Sequence, residues 1–309
     1  LFYFMIHSDD TWSRYANDVT RFYLEGGTEL VSSKLSSFAG RNGCYWAEPY
    51  FGYYSSHDTW VYRKHAYMLD AAGVDFIFLD VSNNKFYVEQ CKVLFDTWKS
   101  IRDEGGQTPQ IAFMYGDMPF TLLNGLYPLL EPFYNNPDYK ELLFCWEGKP
   151  LLLLTDDVHM TEEQRAFFTI RYSWAIGASD WYTRRKGIDC WAWSGNVQRK
   201  GYGSTKSDFE QMYASCGYWA TNMFGFQAGR SCIGSRKPDY KGDWNFGYAI
   251  MESHSGLGLT YQDQFEKVFQ NNPSVLMLTG WNEWIAGRWS GAGAGAAGAG
   301  QMLAGEYTV

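Results

Sequence analysis

Along this chain, an amphipathic helical pattern is repeatedly followed by a glycine turn and then by a short strand that is apolar throughout. In the clearest unit, apolar residues have helical spacing over residues 59–72, Gly73 ends the helix, and the strand runs from Val74 to Leu79 before Asp80. Strands without polar alternation are typical of parallel sheets that are covered on both faces. The repeat therefore favours an α/β fold built on a parallel sheet.

The same pattern recurs in three further parts of the chain. Helical segments are followed by apolar strands at residues 88–102 and 109–115, 120–133 and 151–154, and 261–270 and 274–279. Several of the predicted strands end near a carboxylate or an amide, which is where barrel enzymes place their catalytic groups. A doubly wound sheet is the competing fold, but no glycine-rich nucleotide-binding turn follows a convincing strand. We therefore predict a single-domain (β/α)8 TIM-type barrel with long irregular loops.

The charge and the aromatic content of the chain limit the kinds of molecule that it is expected to bind. The net charge is −8 and the pI about 5.2, so the chain lacks the basic surface that binds phosphate backbones, and we predict no nucleic-acid partner. No apolar run approaches the length of a transmembrane helix. Aromatic residues make up 19% of the chain, with 14 Trp and 23 Tyr. Such rings stack on sugars, but an aromatic-rich core explains the same composition equally well.

Cysteine and histidine spacing argues against the common metal sites. The six cysteines form no C-x-x-C pair and the five histidines no H-E-x-x-H motif, so we predict no metal site. No organic cofactor is implied either. Disulfides and reduced thiols are both compatible with an even number of cysteines.

No secretion signal precedes the strand predicted at the start of the chain, so we expect that a targeting segment was removed or never existed.

Glu283 is the first candidate for a catalytic residue. It follows a predicted strand and lies between Trp281 and Trp284. Indole surface partly excludes water from a carboxyl group, which raises its pKa toward the range that suits acid–base catalysis. The neighbouring Asn282 is a candidate to hydrogen-bond a sugar hydroxyl. The alternative is a structural glutamate that ends the strand or pairs with Arg288.

Asp80 is the second catalytic candidate. It ends an apolar strand, and in a parallel barrel its side chain is expected at the same mouth as Glu283. The alternative is a capping residue in the Ser/Asn-rich loop that follows. Glu252 is a third, weaker candidate. Glycosidic cleavage needs two carboxylates beside the bond, and the sequence offers Glu283 together with these possible partners.

A second group of residues is predicted to contact a substrate. Residues 45–54 contain five Tyr or Trp together with Glu48, a composition that suits a wall on which sugars stack. An aromatic surface loop packed on the barrel is the alternative. The predicted substrate-binding residues are Glu48, Trp46, Tyr53, Asn282, Trp281, Trp284, Asp117 and His254.

The end of the chain differs from the rest in composition. Residues 291–300 read GAGAGAAGAG, which provides no side chains for a core or a site. We therefore predict a hydrolase-like domain over residues 1–289, followed by a low-complexity Gly/Ala segment and a short remainder over residues 290–309.

Three motifs resemble those of glycoside hydrolase families 71 and 99, and most closely a bacterial 71/99-like group. Residues 53–75 contain a Tyr-Ser-Ser stretch, an Arg-x-His helix and an Ala-Gly-Val-Asp turn into a strand. Residues 148–152 read Gly-Lys-Pro-Leu-Leu, and residues 279–284 read Thr-Gly-Trp-Asn-Glu-Trp. The motifs keep the family order and span about residues 45–289.

This resemblance implies a (β/α)8 barrel that acts on glycans at or outside the cell surface. In the endo-α-mannosidase family the glutamate of the Asn-Glu-Trp motif is catalytic, and it aligns with Glu283. That family has a second glutamate three positions later, where this chain has Ala286. We therefore predict a secreted or periplasmic glycoside hydrolase for an α-linked polysaccharide or host glycan, with Asp80 or Glu252 as the second carboxylate. The alternative is a non-catalytic glycan-binding or structural protein on the same barrel.

Overall fold

The computed structural model describes residues 1–7, 44–45, 48–81, 86–115, 130–155, 160–173, 175–176, 189–194, 198, 200–203, 205, 208–215 and 259–286. Its strands are β1 Phe2–Tyr3, β2 Cys44–Tyr45, β3 Phe76–Val81, β4 Gln110–Tyr115, β5 Cys145–Trp146, β6 Lys149–Leu154, β7 Thr169–Tyr172, β8 Ala175–Ile176, β9 Ala192–Ser194, β10 Gln211–Ser215, β11 Val275–Thr279 and β12 Ile285–Ala286. Its α-helices are α1 Thr59–Ala71, α2 Val88–Asp103, α3 Glu162–Phe167 and α4 Leu259–Asn271.

The main sheet is parallel. Strands β1, β3, β4, β6 and β7 lie side by side in that order, and each neighbouring pair is parallel. Strand β5 joins β6 as an antiparallel hairpin. Elsewhere, β8 pairs with β9 and β10 with β11 in parallel, whereas β12 pairs with β2 in the antiparallel sense. The prediction of an α/β fold with a parallel sheet is confirmed.

Local sequence explains where α1 begins and ends. Asp58 caps the helix, because its Oδ1 accepts hydrogen bonds from the backbone N–H of Trp60 at 2.9 Å and of Val61 at 3.3 Å. After the helix, Gly73 has φ 73°, a left-handed conformation that glycine adopts without steric penalty. The chain then enters β3, which is buried at all six positions, as its apolar sequence requires.

The two faces of the parallel sheet pack against different elements. On one face, Ile77 of β3 belongs to the same core cluster as Leu69 and other residues of helices α1 and α2. On the other face, Phe78 belongs to a cluster with Trp191 and Met277, which come from the region of β9 and β11. The rings of Phe78 and Trp191 are 6.2 Å apart between centroids. Helices therefore cover one face, while further strands enclose the other.

Side-chain amides form hydrogen bonds between neighbouring strands. The structure describes no backbone hydrogen-bond ladder between these strands. Strand β11 lies beside β1, and β9 lies beside β10. Asn282 accepts a hydrogen bond from the Phe4 N–H at 2.8 Å and donates one to the Phe4 carbonyl at 3.0 Å. Gln211 of β10 donates to the Ala192 carbonyl of β9 at 3.0 Å. These amides supply hydrogen bonds that a neighbouring strand would otherwise provide.

Several segments differ from the sequence-based expectation, among them α3 and β7, which the pattern did not predict. The helix predicted at residues 120–133 lies mainly outside the described residues, and Leu130–Tyr134 forms a π-helical turn. A 3-10 helix at Pro137–Leu142 was not predicted, although Asn136 caps it by accepting the Asp138 N–H at 3.0 Å. The segment 290–309 lies outside the described residues, and the domain boundary at residue 289 stays a prediction. None of the helices that the structure describes is long and apolar enough to span a membrane.

Candidate functional site

Two of the predicted catalytic carboxylates lie at the carboxyl ends of strands. Asp80 is the penultimate residue of β3 and is 6% exposed. Glu283 follows β11 after a turn at Gly280, which has φ 81°. Strand β1 pairs with β3 on one side and lies beside β11 on the other. The structure therefore brings the two carboxylates to the same edge of the sheet.

The surroundings of Glu283 favour its protonated form. Its pKa is raised from 4.5 to about 8, first because protein surrounds the carboxyl group and second because Asp80 is negatively charged. Glu283 nevertheless keeps an exposed surface. Glu283 therefore carries a proton at neutral pH and remains accessible to a ligand.

This raised pKa makes the stability of the protein depend on pH. On folding, the pKa of Glu283 rises from its ordinary value of 4.5 to about 8. The favourable contribution of Glu283 to the free energy of unfolding is therefore complete below pH 4.5 and is lost as the pH rises through 8. Over that range, the free energy of unfolding of the wild type is expected to fall relative to that of Glu283→Gln, whose amide does not titrate. Urea denaturation of both proteins at about pH 5 and about pH 9 measures the difference. An identical pH dependence in both proteins would contradict the assignment.

Trp281, two residues before Glu283, is held by other aromatic rings. Its indole lies 4.8 Å from the His65 ring and 5.8 Å from the Tyr3 ring, measured between centroids. The Tyr3 hydroxyl and His65 Nδ1 are hydrogen-bonded at 2.7 Å. Burial lowers the pKa of His65 to about 4, so the imidazole is neutral at pH 7. These contacts fix the orientation of the Trp281 indole.

The remaining predicted residues divide into two groups. Tyr53 and Trp284 are partly buried and Glu48 is exposed, and their contacts with a substrate stay predictions. The predicted residues that lie outside the described part of the chain are Trp46, Asp117, Glu252 and His254, together with Arg288, the alternative partner of Glu283.

Asn282 has a positioning role in the structure. It is 2% exposed, and its amide oxygen and nitrogen both bond to the backbone of Phe4. The amide thus attaches the segment that carries Glu283 to the residue that follows β1. The predicted hydrogen bond from Asn282 to a sugar hydroxyl stays a prediction.

Replacing Asn282 by Ala is expected to lower the free energy of unfolding by about 1–3 kcal/mol, because the N–H and carbonyl of the buried Phe4 lose their partner. Chemical denaturation measures this change. Asn135→Ala is the matched control, since the Asn135 amide bonds to the exposed Glu131 carboxylate at 3.3 Å, and it should change stability little. Equal effects of the two substitutions would show that the Asn282 amide does not stabilise this junction.

His7 was missed by the reasoning from sequence. It lies beyond the end of β1, at the same edge of the sheet as Asp80, and is fully buried. Its ring centroid is 4.6 Å from that of Tyr54. The signal was present, because His7 ends the first predicted strand as Asp80 ends a later one. His7 therefore lies at the carboxyl edge of the sheet, packed against Tyr54.

A cavity of about 310 Å³ lies at the other end of the strands. It is lined by Asp208 and Phe209 just before β10, and by Asn271 and Ser274 just before β11. These positions are at the amino ends of the strands, so the cavity is separate from the carboxylate site.

Within the described residues, no three His, Cys, Asp or Glu side chains come together as metal ligands.

Comparison with solved structures shows a relationship of fold. The GH99 endo-alpha-mannosidase from Bacteroides thetaiotaomicron in complex with BIS-TRIS-propane matches with a TM-score of 0.51 and 14% identity, over 92% of this chain and 83% of that chain. The two chains share a fold. A second structure of GH99 endo-alpha-mannosidase from the same organism gives a TM-score of 0.47 at 14% identity, over 77% of this chain and 70% of that chain. No protein-family model and no curated protein matches this chain.

Proposed function

We propose that this protein is a glycoside hydrolase in which Glu283 is the general acid and Asp80 is the partner carboxylate. The observation that carries the proposal is the electrostatic coupling of these two groups at one edge of the sheet. Glu283 is protonated at neutral pH and accessible, while Asp80 supplies a negative charge beside it. Glycosidic cleavage uses one carboxyl group in each of these states. The fold shared with an endo-alpha-mannosidase supports the same conclusion.

We also propose that the strands close into an eight-stranded barrel, in the order β1, β3, β4, β6, β7, β9, β10 and β11. Support comes from the parallel pairs, from the contacts of β1 with β11 and of β9 with β10, and from the Trp191 N–H, which donates to the Tyr172 carbonyl at 2.7 Å. In such a barrel the carboxyl ends of all strands surround one mouth. Asp80, Glu283 and His7 would then lie at that mouth.

Each carboxylate has a defined step in this reaction. Glu283 donates its proton to the glycosidic oxygen as the bond between that oxygen and the sugar carbon breaks. Asp80 either attacks the sugar carbon, to form an ester that water later cleaves, or removes a proton from an attacking water. The first course retains the configuration of the sugar and the second inverts it. NMR of the first product formed distinguishes the two.

The proposed substrate is an α-linked polysaccharide or host glycan. This choice is supported by the structural similarity to an endo-alpha-mannosidase and by the partly buried Trp281, whose ring offers a flat face to a sugar. We further propose that the protein acts outside the cytoplasm. Cell fractionation of the producing organism tests this location.

The function is tested by product release from α-linked polysaccharides and glycoproteins, with the wild type and Glu283→Gln compared on each. We expect sugar release by the wild type and its loss in the folded variant. Isothermal titration calorimetry of both proteins with the same glycans provides the second readout. Binding by both proteins without release by either would overturn the hydrolase proposal.

A non-catalytic glycan-binding protein is the second candidate, and one observation favours it. The position of the second glutamate in the family motif is Ala286, which lies in β12 and pairs with Cys44 of β2. The residue at this position therefore contributes no carboxyl group, and catalysis depends on Asp80 instead. Glycan binding with no turnover, unchanged in Glu283→Gln, is the result that this candidate predicts.

A further inference from the structure

Two exposed aromatic side chains lie close to the candidate site and share a ring partner. Tyr50 is 88% exposed and Trp60 is 53% exposed. Phe51 contacts both, with ring centroids 5.1 Å from Tyr50 and 5.3 Å from Trp60. Single exposed apolar residues are common on protein surfaces, but connected ones indicate a binding surface. We call these three residues the rim cluster.

Ring contacts connect the rim cluster to the residues beside Glu283. The Phe51 centroid is 5.8 Å from that of His65, and His65 is 4.8 Å from Trp281. The same segment is joined to the end of β1, since the Ser56 N–H donates to the His7 carbonyl at 2.7 Å. The rim cluster therefore lies at the edge of the sheet where the carboxylates are, and it is linked to Trp281 through His65.

Polar groups accompany the exposed rings. The Lys64 ammonium lies 5.3 Å from the centroid of the Trp60 ring. Asp58, which caps α1, is exposed next to it. Flat aromatic faces with a few polar groups beside them match a sugar, which has C–H faces and a rim of hydroxyl groups. A mainly apolar partner would leave these charges without water or a counterpart.

We propose that Tyr50 and Trp60, supported by Phe51, form a distal sugar-binding subsite for the part of a glycan that extends beyond the bond cut at Glu283. This inference rests on the proposed hydrolase function and narrows its substrate to glycans of several sugars. Short substrates occupy the carboxylate site alone. Long substrates gain the additional stacking contacts, so cleavage becomes more efficient as the chain lengthens.

The test compares Tyr50→Ala and Trp60→Ala with the wild type on α-linked disaccharides, tetrasaccharides and octasaccharides of mannose and of glucose. Both variants should fold, because Tyr50 is exposed and the Asp58 cap bonds to the backbone of residue 60. We expect kcat/KM for octasaccharides to fall roughly three- to tenfold, with no change for disaccharides. Phe269→Ala is the control: it is 74% exposed on α4, whose end leads to the amino end of β11, and it should match the wild type.

The other possible results distinguish a failure of the subsite alone from a failure of the hydrolase function. Cleavage with an unchanged dependence on length in both variants overturns the subsite and leaves the hydrolase function intact. An equal loss on short and long substrates also overturns it, because the rings would then act at the cleavage site. A change of oligomeric state in gel filtration with normal cleavage would assign the rim cluster to contacts between copies. Absence of cleavage by the wild type on every substrate overturns the function and the subsite together.

Discussion

Glu283→Gln is expected to slow glycan cleavage by roughly a hundred- to ten-thousand-fold, the usual range for loss of a general acid. The physical reason is that the Gln amide cannot donate a proton to the leaving oxygen. In the wild type, activity should fall as the pH rises through about 8, because Glu283 then loses its proton. A pH–rate profile of kcat/KM measures both effects.

Glu266→Gln is the matched control for this substitution. Glu266 is an exposed glutamate on α4 that accepts a hydrogen bond from Gln262 at 3.1 Å, and its replacement should leave turnover unchanged. Circular dichroism verifies that both variants fold. Retention of full activity by folded Glu283→Gln would rule out Glu283 as the acid.

Asp80→Asn tests the pairing of the two carboxylates directly. The variant should lose turnover, because the carboxylate that acts as nucleophile or base is gone. It should also lower the pKa of Glu283, since the negative charge of Asp80 is the second cause of its elevation. Burial is the larger cause, so the pKa should remain above 4.5. NMR titration of ¹³C-labelled glutamate measures it, and an unchanged pKa would show that the two groups do not interact.

Arg171→Met is expected to lower the free energy of unfolding by about 3–5 kcal/mol, the cost of leaving one partner of a buried ion pair without its counter-charge. Arg171 and Glu210 form two charge-assisted hydrogen bonds, at 2.7 and 2.8 Å, and their side chains are 7% and 6% exposed. Glu210 also accepts the indole N–H groups of Trp146 at 3.0 Å and Trp191 at 2.9 Å. Urea denaturation measures the change.

Two further variants show whether the lost charge is the cause. Glu210→Gln added to Arg171→Met should recover part of the stability, because no buried charge then lacks a partner. Arg63→Met is the control, since Arg63 pairs with the exposed Glu104 at 2.8 Å, and exposed pairs contribute little. If Arg171→Met were as mild as Arg63→Met, the buried pair would not stabilise the fold.

The members of the candidate site were predictable, and so was a shared mouth for Asp80 and Glu283, but the contacts that bring them together were not. Asp80 and Glu283 were both recognisable because each follows an apolar strand, and the end of a strand is a local feature of sequence. Their adjacency depends on β1, which places β3 on one side and β11 on the other. The partner of Asn282 is 278 residues away, and no local pattern identifies it.

The pair of Arg171 and Glu210 shows the same limit. The two residues are 39 positions apart, and each looks like an ordinary charged residue in its local sequence. The two side chains pair because both are buried, and a charged group that is removed from water requires a counter-charge.

By itself, the sequence determined helices α1, α2 and α4, the apolar strands β3, β4, β6 and β11, and the carboxylates near strand ends, because periodicity, capping and glycine turns act over a few residues. Only the tertiary structure decided that Glu283 is protonated at neutral pH and that Asp80 is its neighbour. The pKa of a carboxyl group depends on how much protein surrounds it and on which charges lie nearby in space. Both are set by strands that are far apart in the chain.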